Sequence, residues 1–175
     1  MKSADGTHVP RETNRIAVVG TVGVPGNYGG FETLAENLVL FNERALRPAE
    51  MTVYCSKSSY TDRSDTYHGA RRRFIPLRAN GISSIPYDVW SIVDAVLHRS
   101  KVVLLLGVSG AIIIPFIRLF SRAKIITNVD GIEWRRSKWG VLARYILRFS
   151  EGMAVRFSDI VIADNQAIAD YVRET

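Results

Sequence analysis

Cysteine is nearly absent from this chain. Cys55 is the single example in 175 residues, which excludes an internal disulfide framework and fits a reducing compartment. It sits in the apolar run MTVYC, where a small buried hydrophobe is expected and no catalytic role. Histidine is almost as scarce. Residues 8, 68 and 98 show no ligand spacing and no D-x-D pair occurs, so no metal is expected. Long apolar runs are missing too. The most hydrophobic stretch, Val102 to Phe120, is broken by Gly107, Ser109, Gly110, Pro115 and Arg118, whereas spanning a bilayer takes about 20 apolar residues. Met1 to Asn14 has no apolar segment of the secretory kind, and we read residues 1–14 as a flexible lead-in. No internal repeat or low-complexity tract appears.

What is present is ordinary globular material, 47% hydrophobic and 23% charged, enough for one domain with a full core. A net charge of +6 and a pI near 9.7 imply an anionic partner: nucleic acid, a lipid headgroup surface or a phosphorylated substrate. No nucleic-acid-binding module is legible, so nucleic acid is not expected. Strands are predicted at Arg15–Val19, Met51–Cys55, Arg71–Leu77, Val102–Leu106, Lys124–Val129 and Asp159–Ala163. Helices are predicted at Gly30–Leu46, Pro86–His98, Ala111–Phe120, Trp139–Phe157 and Gln166–Arg173, with Ser56–Gly69 as a loop. The helix before His98 groups Trp90, Val93 and Leu97 on one face, and His98 is expected to be a solvated terminal residue. The long helix is expected to bury Leu142, Tyr145, Ile146, Phe149 and Met153. Strands alternating with helices predict an α/β domain, a doubly wound parallel sheet of Rossmann-like type over residues 15–175.

The stretch Gly20 to Glu32, GTVGVPGNYGGFE, joins the first strand to the first helix. Its glycines allow positive φ and close backbone approach, and a helix start offers free N–H groups to an anion. It is not a Walker loop, because it contains no Lys. Its G-x-x-G-x-x-G spacing, and a second strand ending Tyr54, Cys55, Ser56, Lys57 without a carboxylate, argue against a dinucleotide site. In open parallel sheets ligands bind at the carboxyl ends of strands, where this loop and the turn Asp130 to Trp134 both fall. Asp130 leaves a buried strand into a glycine turn, a place for a carboxylate that orients a hydroxyl or assists proton transfer. Glu32 lies in the first helical turn; it would repel phosphate, so any ligand role is toward sugar hydroxyls. Trp134, Arg135, Arg136, Lys138, Trp139, Arg144 and Arg148 form a basic, aromatic patch suited to an anionic membrane surface.

The stretches VVGTVGVPGNYGGFETLAENL, NVDGIEWRRSKWG and RFSDIVIADNQAIADYV resemble the amino-terminal domain of family-four glycosyltransferases of the bacterial rhamnosyltransferase-like kind. The resemblance implies one half of a GT-B architecture, in which two Rossmann-like domains face each other across a cleft. It implies transfer of a hexose, rhamnose among the candidates, from a nucleotide diphosphate sugar to a lipid-linked or polysaccharide acceptor, with retained configuration and without metal or other cofactor. The donor-binding carboxyl-terminal domain is then expected to be absent from this chain, and the isolated chain inactive. The enzyme is expected in the cytoplasm, peripheral at the inner face of the membrane. The implied substrate residues are Gly23, Asn27, Tyr28, Gly29, Gly30, Phe31, Glu32, Gly131, Glu133 and Trp134, with Gly29 and Gly30 approaching the donor. Asp130 is the implied catalytic residue, standing where many relatives have a His. The membrane-facing set is Arg135, Arg136, Lys138 and Trp139. A second reading, of a different class, is a stand-alone membrane-surface binding or adaptor module without catalysis.

Overall fold

The computed structural model describes residues 14–27, 29–46, 48–137 and 139–174. Residues 1–13 of the lead-in, Tyr28 and Lys138 lie outside the described residues. Along the chain run β1 (Arg15–Val19), α1 (Gly30–Glu43), β2 (Glu50–Ser56), β3 (Thr66–Tyr67), β4 (Ala70–Ile75), α2 (Ser84–Leu97) and β5 (Val102–Leu106). α3 (Ile114–Phe120), β6 (Lys124–Val129), α4 (Val141–Phe157), β7 (Ile160–Ala163) and α5 (Gln166–Glu174) follow. The strands form one sheet in the order β3-β4-β2-β1-β5-β6-β7. Every pair is parallel except β3 with β4. The chain winds outward from β1 in one direction, then returns to β5 and winds outward in the other. That is the doubly wound order, with its topological switch between the carboxyl ends of β1 and β5.

Side chains alternate across the pleat. Val18 and Val53 pack with Ala35 and Val39 of α1 on one face. Ala17, Val19, Tyr54, Val103 and Leu105 pack with Tyr87, Ile92 and Ala95 of α2, Ile114 and Ile117 of α3 and Ala154 of α4 on the other. Both faces are therefore covered, which is why β1 and β5 read as continuous apolar runs.

Two expectations are corrected. Thr66–Tyr67, expected within a loop, pairs antiparallel with β4 and covers part of that edge. The connection carrying it is pinned by Arg72, which is 4% exposed and donates to Asp62 Oδ2 (2.9 Å) and to the Ser64 carbonyl (3.2 Å). Its guanidinium also lies over the rings of Tyr60 and Phe74. The second correction concerns α4. The residues it buries are Ala143, Leu147, Ser150, Glu151 and Ala154, while Leu142, Tyr145 and Phe149 are exposed. α2 shows the same rotation: Trp90 and Leu97 are exposed, and the buried set is Tyr87, Asp88, Ser91, Ile92 and Ala95. His98 ends α2, exposed, with Nδ1 2.8 Å from the Asp94 carbonyl oxygen.

Candidate active site

The switch point opens into a crevice of about 590 Å3, bounded by the loops after β1, β5 and β6 and by α2. The loop after β1 is shaped by its glycines. Gly20 has φ +85°, and a Cβ there would overlap the Leu106 carbonyl oxygen of β5. The two central strands thus come together at their ends only because residue 20 has no side chain. Gly29, at φ +113°, precedes α1 and lies against the Glu32 carboxylate, which a Cβ there would overlap, whereas Gly30 has no heavy atom within 4 Å of its Cβ position and faces open space. The Glu32 carboxylate turns back and accepts a hydrogen bond from the Val22 N–H (3.2 Å), fixing the loop against its helix.

The opposite wall is built of side chains. Gly107, at φ +89°, turns the chain out of β5 and donates its N–H to the Asn128 carbonyl (2.9 Å), tying the ends of β5 and β6. Ser109 donates to Asp88 of α2, which is 2% exposed. Burial raises the Asp88 carboxyl to a pKa of about 7, against a smaller lowering by the Ser109 hydroxyl. Gly110 makes this pair possible: a Cβ there would stand 2.5 Å from Asp88 Cβ. Ser150 of α4 locks the same loop, donating to the Val108 carbonyl (2.6 Å) and accepting from the Ile112 N–H (2.9 Å). Asn128, 5% exposed, lines the crevice, and its Oδ1 has no hydrogen-bond partner among the described residues.

Asp130 follows β6 and lines the crevice, half-buried. Burial pushes its carboxyl above the usual range; Arg136, 3.9 Å away, opposes this, and Glu133 and Asp164 add to it. Arg136 also pairs with Glu133 at 3.0 Å, and the Trp139 indole donates to Glu133 Oε1 (3.1 Å). Among the described residues the lining carries five carboxyl groups, Glu32, Asp88, Asp130, Glu133 and Asp164, and one guanidinium, Arg136. The overall charge is +6, so this concentration of acids is local.

Of the residues singled out from the sequence, Gly29, Gly30, Phe31, Glu32, Asp130 and Glu133 line this crevice, as do Arg136 and Trp139 of the membrane-facing set. Others do not. Gly23, at φ +133°, lies against Cys55, where a Cβ would meet Sγ at 2.6 Å, so its role is packing on β2. Asn27 is exposed and outside the lining, as is the half-buried Gly131. Trp134 is outside the crevice lining: the guanidiniums of Arg135 and Arg148 each lie 5.1 Å from its ring, and its indole donates to Glu151 (3.2 Å). Two membrane-facing assignments also change. Trp139 is 7% exposed and packs with Ala143 and Leu147, and Arg136 is turned toward the acids of the crevice. Asp88, Ser109, Asn128 and Asp164 were not anticipated. A signal existed for the first pair: a second glycine pair, Gly107 and Gly110, follows β5, and Asp88 shares the helical register of Ile92 and Ala95. Among the described residues no group of His, Cys, Asp and Glu is arranged to hold a metal, and no helix is long and apolar enough to cross a membrane.

The fold resembles part of the sucrose-phosphate synthase from Thermosynechococcus elongatus, with a TM-score of 0.64 at 13% identity. The match covers 92% of this chain and 45% of that one, so the chain spans under half the neighbour's length. The fold is thus the doubly wound, Rossmann-like α/β fold expected from the sequence. None of the curated proteins compared matches the sequence. A family model described as "Domain of unknown function (DUF1972)" matches residues 13–175, and the chain belongs to that family.

Proposed function

We propose that the chain is the acceptor-side domain of a two-domain glycosyltransferase. The enzyme moves a hexose, rhamnose by resemblance, from a nucleotide diphosphate sugar to a hydroxyl of a lipid-linked or polysaccharide acceptor. The observation that carries this reading is the crevice lining: among the described residues it holds five carboxyl groups and one guanidinium. Such a wall accepts hydrogen bonds and repels phosphate, so it suits a polyhydroxylated acceptor better than the donor diphosphate. In the transfer, the bond from the anomeric carbon to the diphosphate oxygen breaks, a bond to the acceptor oxygen forms, the diphosphate leaves with the bonding electron pair, and the acceptor hydroxyl gives its proton to the Asp130 carboxylate. Asp130 is the group we assign to receive and orient that hydroxyl, with Arg136 favouring its ionised form. Gly30 leaves room for the donor sugar at the start of α1.

The test is transfer by the full natural gene product, assayed with UDP-glucose and dTDP-rhamnose as donors and saccharide acceptors. Gly30→Val should leave the fold intact and lower kcat/KM by about 100-fold, because a branched side chain displaces the bound sugar. Residues 1–175 alone should show no turnover, since one wall of the cleft would be missing. Unchanged kinetics in the Gly30→Val enzyme would remove the loop from the mechanism, and turnover by residues 1–175 alone would sink the two-domain reading.

A further inference from the structure

Within α4, one side closes the crevice and the other is bare. Ala143, Leu147, Ser150 and Ala154 face inward, and Leu147 lines the crevice. Val141, Tyr145 and Phe149, spaced i, i+4, i+8, form an outward stripe with Leu142 beside it. These four are 71%, 70%, 56% and 69% exposed, far more than a helix facing only water requires. Tyr145, Val141, Arg144, Arg148 and Trp134 also line a shallow groove of about 260 Å3.

The charge on this face is of one sign. Arg135, Arg144 and Arg148 are exposed, and none is ion-paired among the described residues. The only acid in α4, Glu151, is 1% exposed and accepts hydrogen bonds from Trp134 and Tyr171. Apolar side chains rimmed by unpaired guanidiniums, with aromatic rings between them, are complementary to a bilayer surface of anionic lipid. The stripe enters the acyl boundary, and the arginines reach the headgroups along their apolar stems. A second copy of the chain fits less well, because a two-fold contact would bring the same arginines face to face.

We propose that the outward face of α4, through Val141, Leu142, Tyr145, Phe149 and the arginines at 135, 144 and 148, docks the protein on an anionic membrane. Docking there would hold a lipid-linked acceptor about one helix diameter, 10–12 Å, from the crevice. The surface is thus shifted from the set read in the sequence: Trp139 and Arg136 leave it, and the first turns of α4 enter it.

Co-sedimentation of the full natural product with vesicles tests this without any sugar, so its outcome is independent of the proposed transfer. Phosphatidylcholine vesicles containing phosphatidylglycerol should retain the protein, and pure phosphatidylcholine vesicles should not. Replacing the three arginines by Gln should weaken anionic binding roughly 100-fold. The loss should shrink as ionic strength rises from about 0.1 M to about 1 M. The variant Leu142→Ser/Tyr145→Ser/Phe149→Ser changes only exposed side chains, so its circular dichroism should match wild type while vesicle binding is lost. Three results would overturn the proposal: no binding to anionic vesicles, equal binding to neutral ones, or full binding by the Ser variant. Sedimentation equilibrium showing a dimer that the Ser variant abolishes would assign the face to a second copy and overturn it as well.

Discussion

The wall of the crevice that follows β1 works through its backbone, whereas the wall that follows β5 and β6 works through side chains. In the first, Gly20 permits strand ends to meet and Gly30 presents bare chain to the cavity. In the second, Asp88, Asn128 and Asp130 present oxygen atoms whose properties depend on burial and neighbours. The contrast teaches that one face recognises by shape and the other by hydrogen bonding and charge. They should fail in different ways when altered.

The largest expected effect is steric. Gly20→Ala combines an unfavourable positive φ with a collision against the Leu106 carbonyl, and should destabilise the fold by more than about 4 kcal/mol in denaturant unfolding. Gly30→Ala, with open space around it, should change stability by less than about 1 kcal/mol. Equal losses at the two positions would erase the distinction between a glycine that holds the sheet together and one that faces the ligand.

Asp88 sharpens the comparison through pH. Its folded-state pKa of about 7 lies above the ordinary carboxylate value, so protonation favours the folded form. That contribution is fully present below about pH 4 and is lost as pH rises through about 7. Asp88→Asn keeps an oxygen to accept the Ser109 hydroxyl and carries no charge. Its stability relative to wild type should therefore rise by roughly 2–4 kcal/mol between pH 4 and pH 8. Parallel pH profiles for the two proteins would show that Asp88 titrates like a solvated carboxylate.

The smallest effect is electrostatic. Arg136 lowers the Asp130 pKa, so Arg136→Gln should move the Asp130 titration further upward, read by carboxyl-carbon NMR. A downward shift or none would mean that the guanidinium serves Glu133 alone.

Much of the scaffold was legible in the sequence. β1, β5 and β6 fall on their predicted bounds, and α1, α2 and α4 differ from prediction by a few residues at their ends. The loop after β1 could be read because its glycines announce a backbone function that only glycine supplies. α4 could be located but not oriented. Its apolar stripe was assigned to the core by periodicity, yet the packed side holds Ala143, Ser150 and Ala154, and Glu151 is buried through hydrogen bonds from Trp134 and Tyr171. Periodicity reports that a helix has two faces; which one turns inward depends on contacts distant in sequence. Asp88 was hidden for the same reason, since its partner Ser109 is 21 residues away and the two meet only when α2 crosses the end of β5.

Gly110 carries a consequence for descent. Its missing side chain is the space that Asp88 occupies, with 2.5 Å between Asp88 Cβ and where a Cβ at 110 would stand. The two positions are therefore one inherited unit: a lineage can enlarge residue 110 only after residue 88 has shrunk or the turn has moved. In an alignment of the family, Asp at 88 should travel with Gly at 110, and lineages that lose one should lose the other, leaving a record of whether the buried carboxylate was kept for its chemistry.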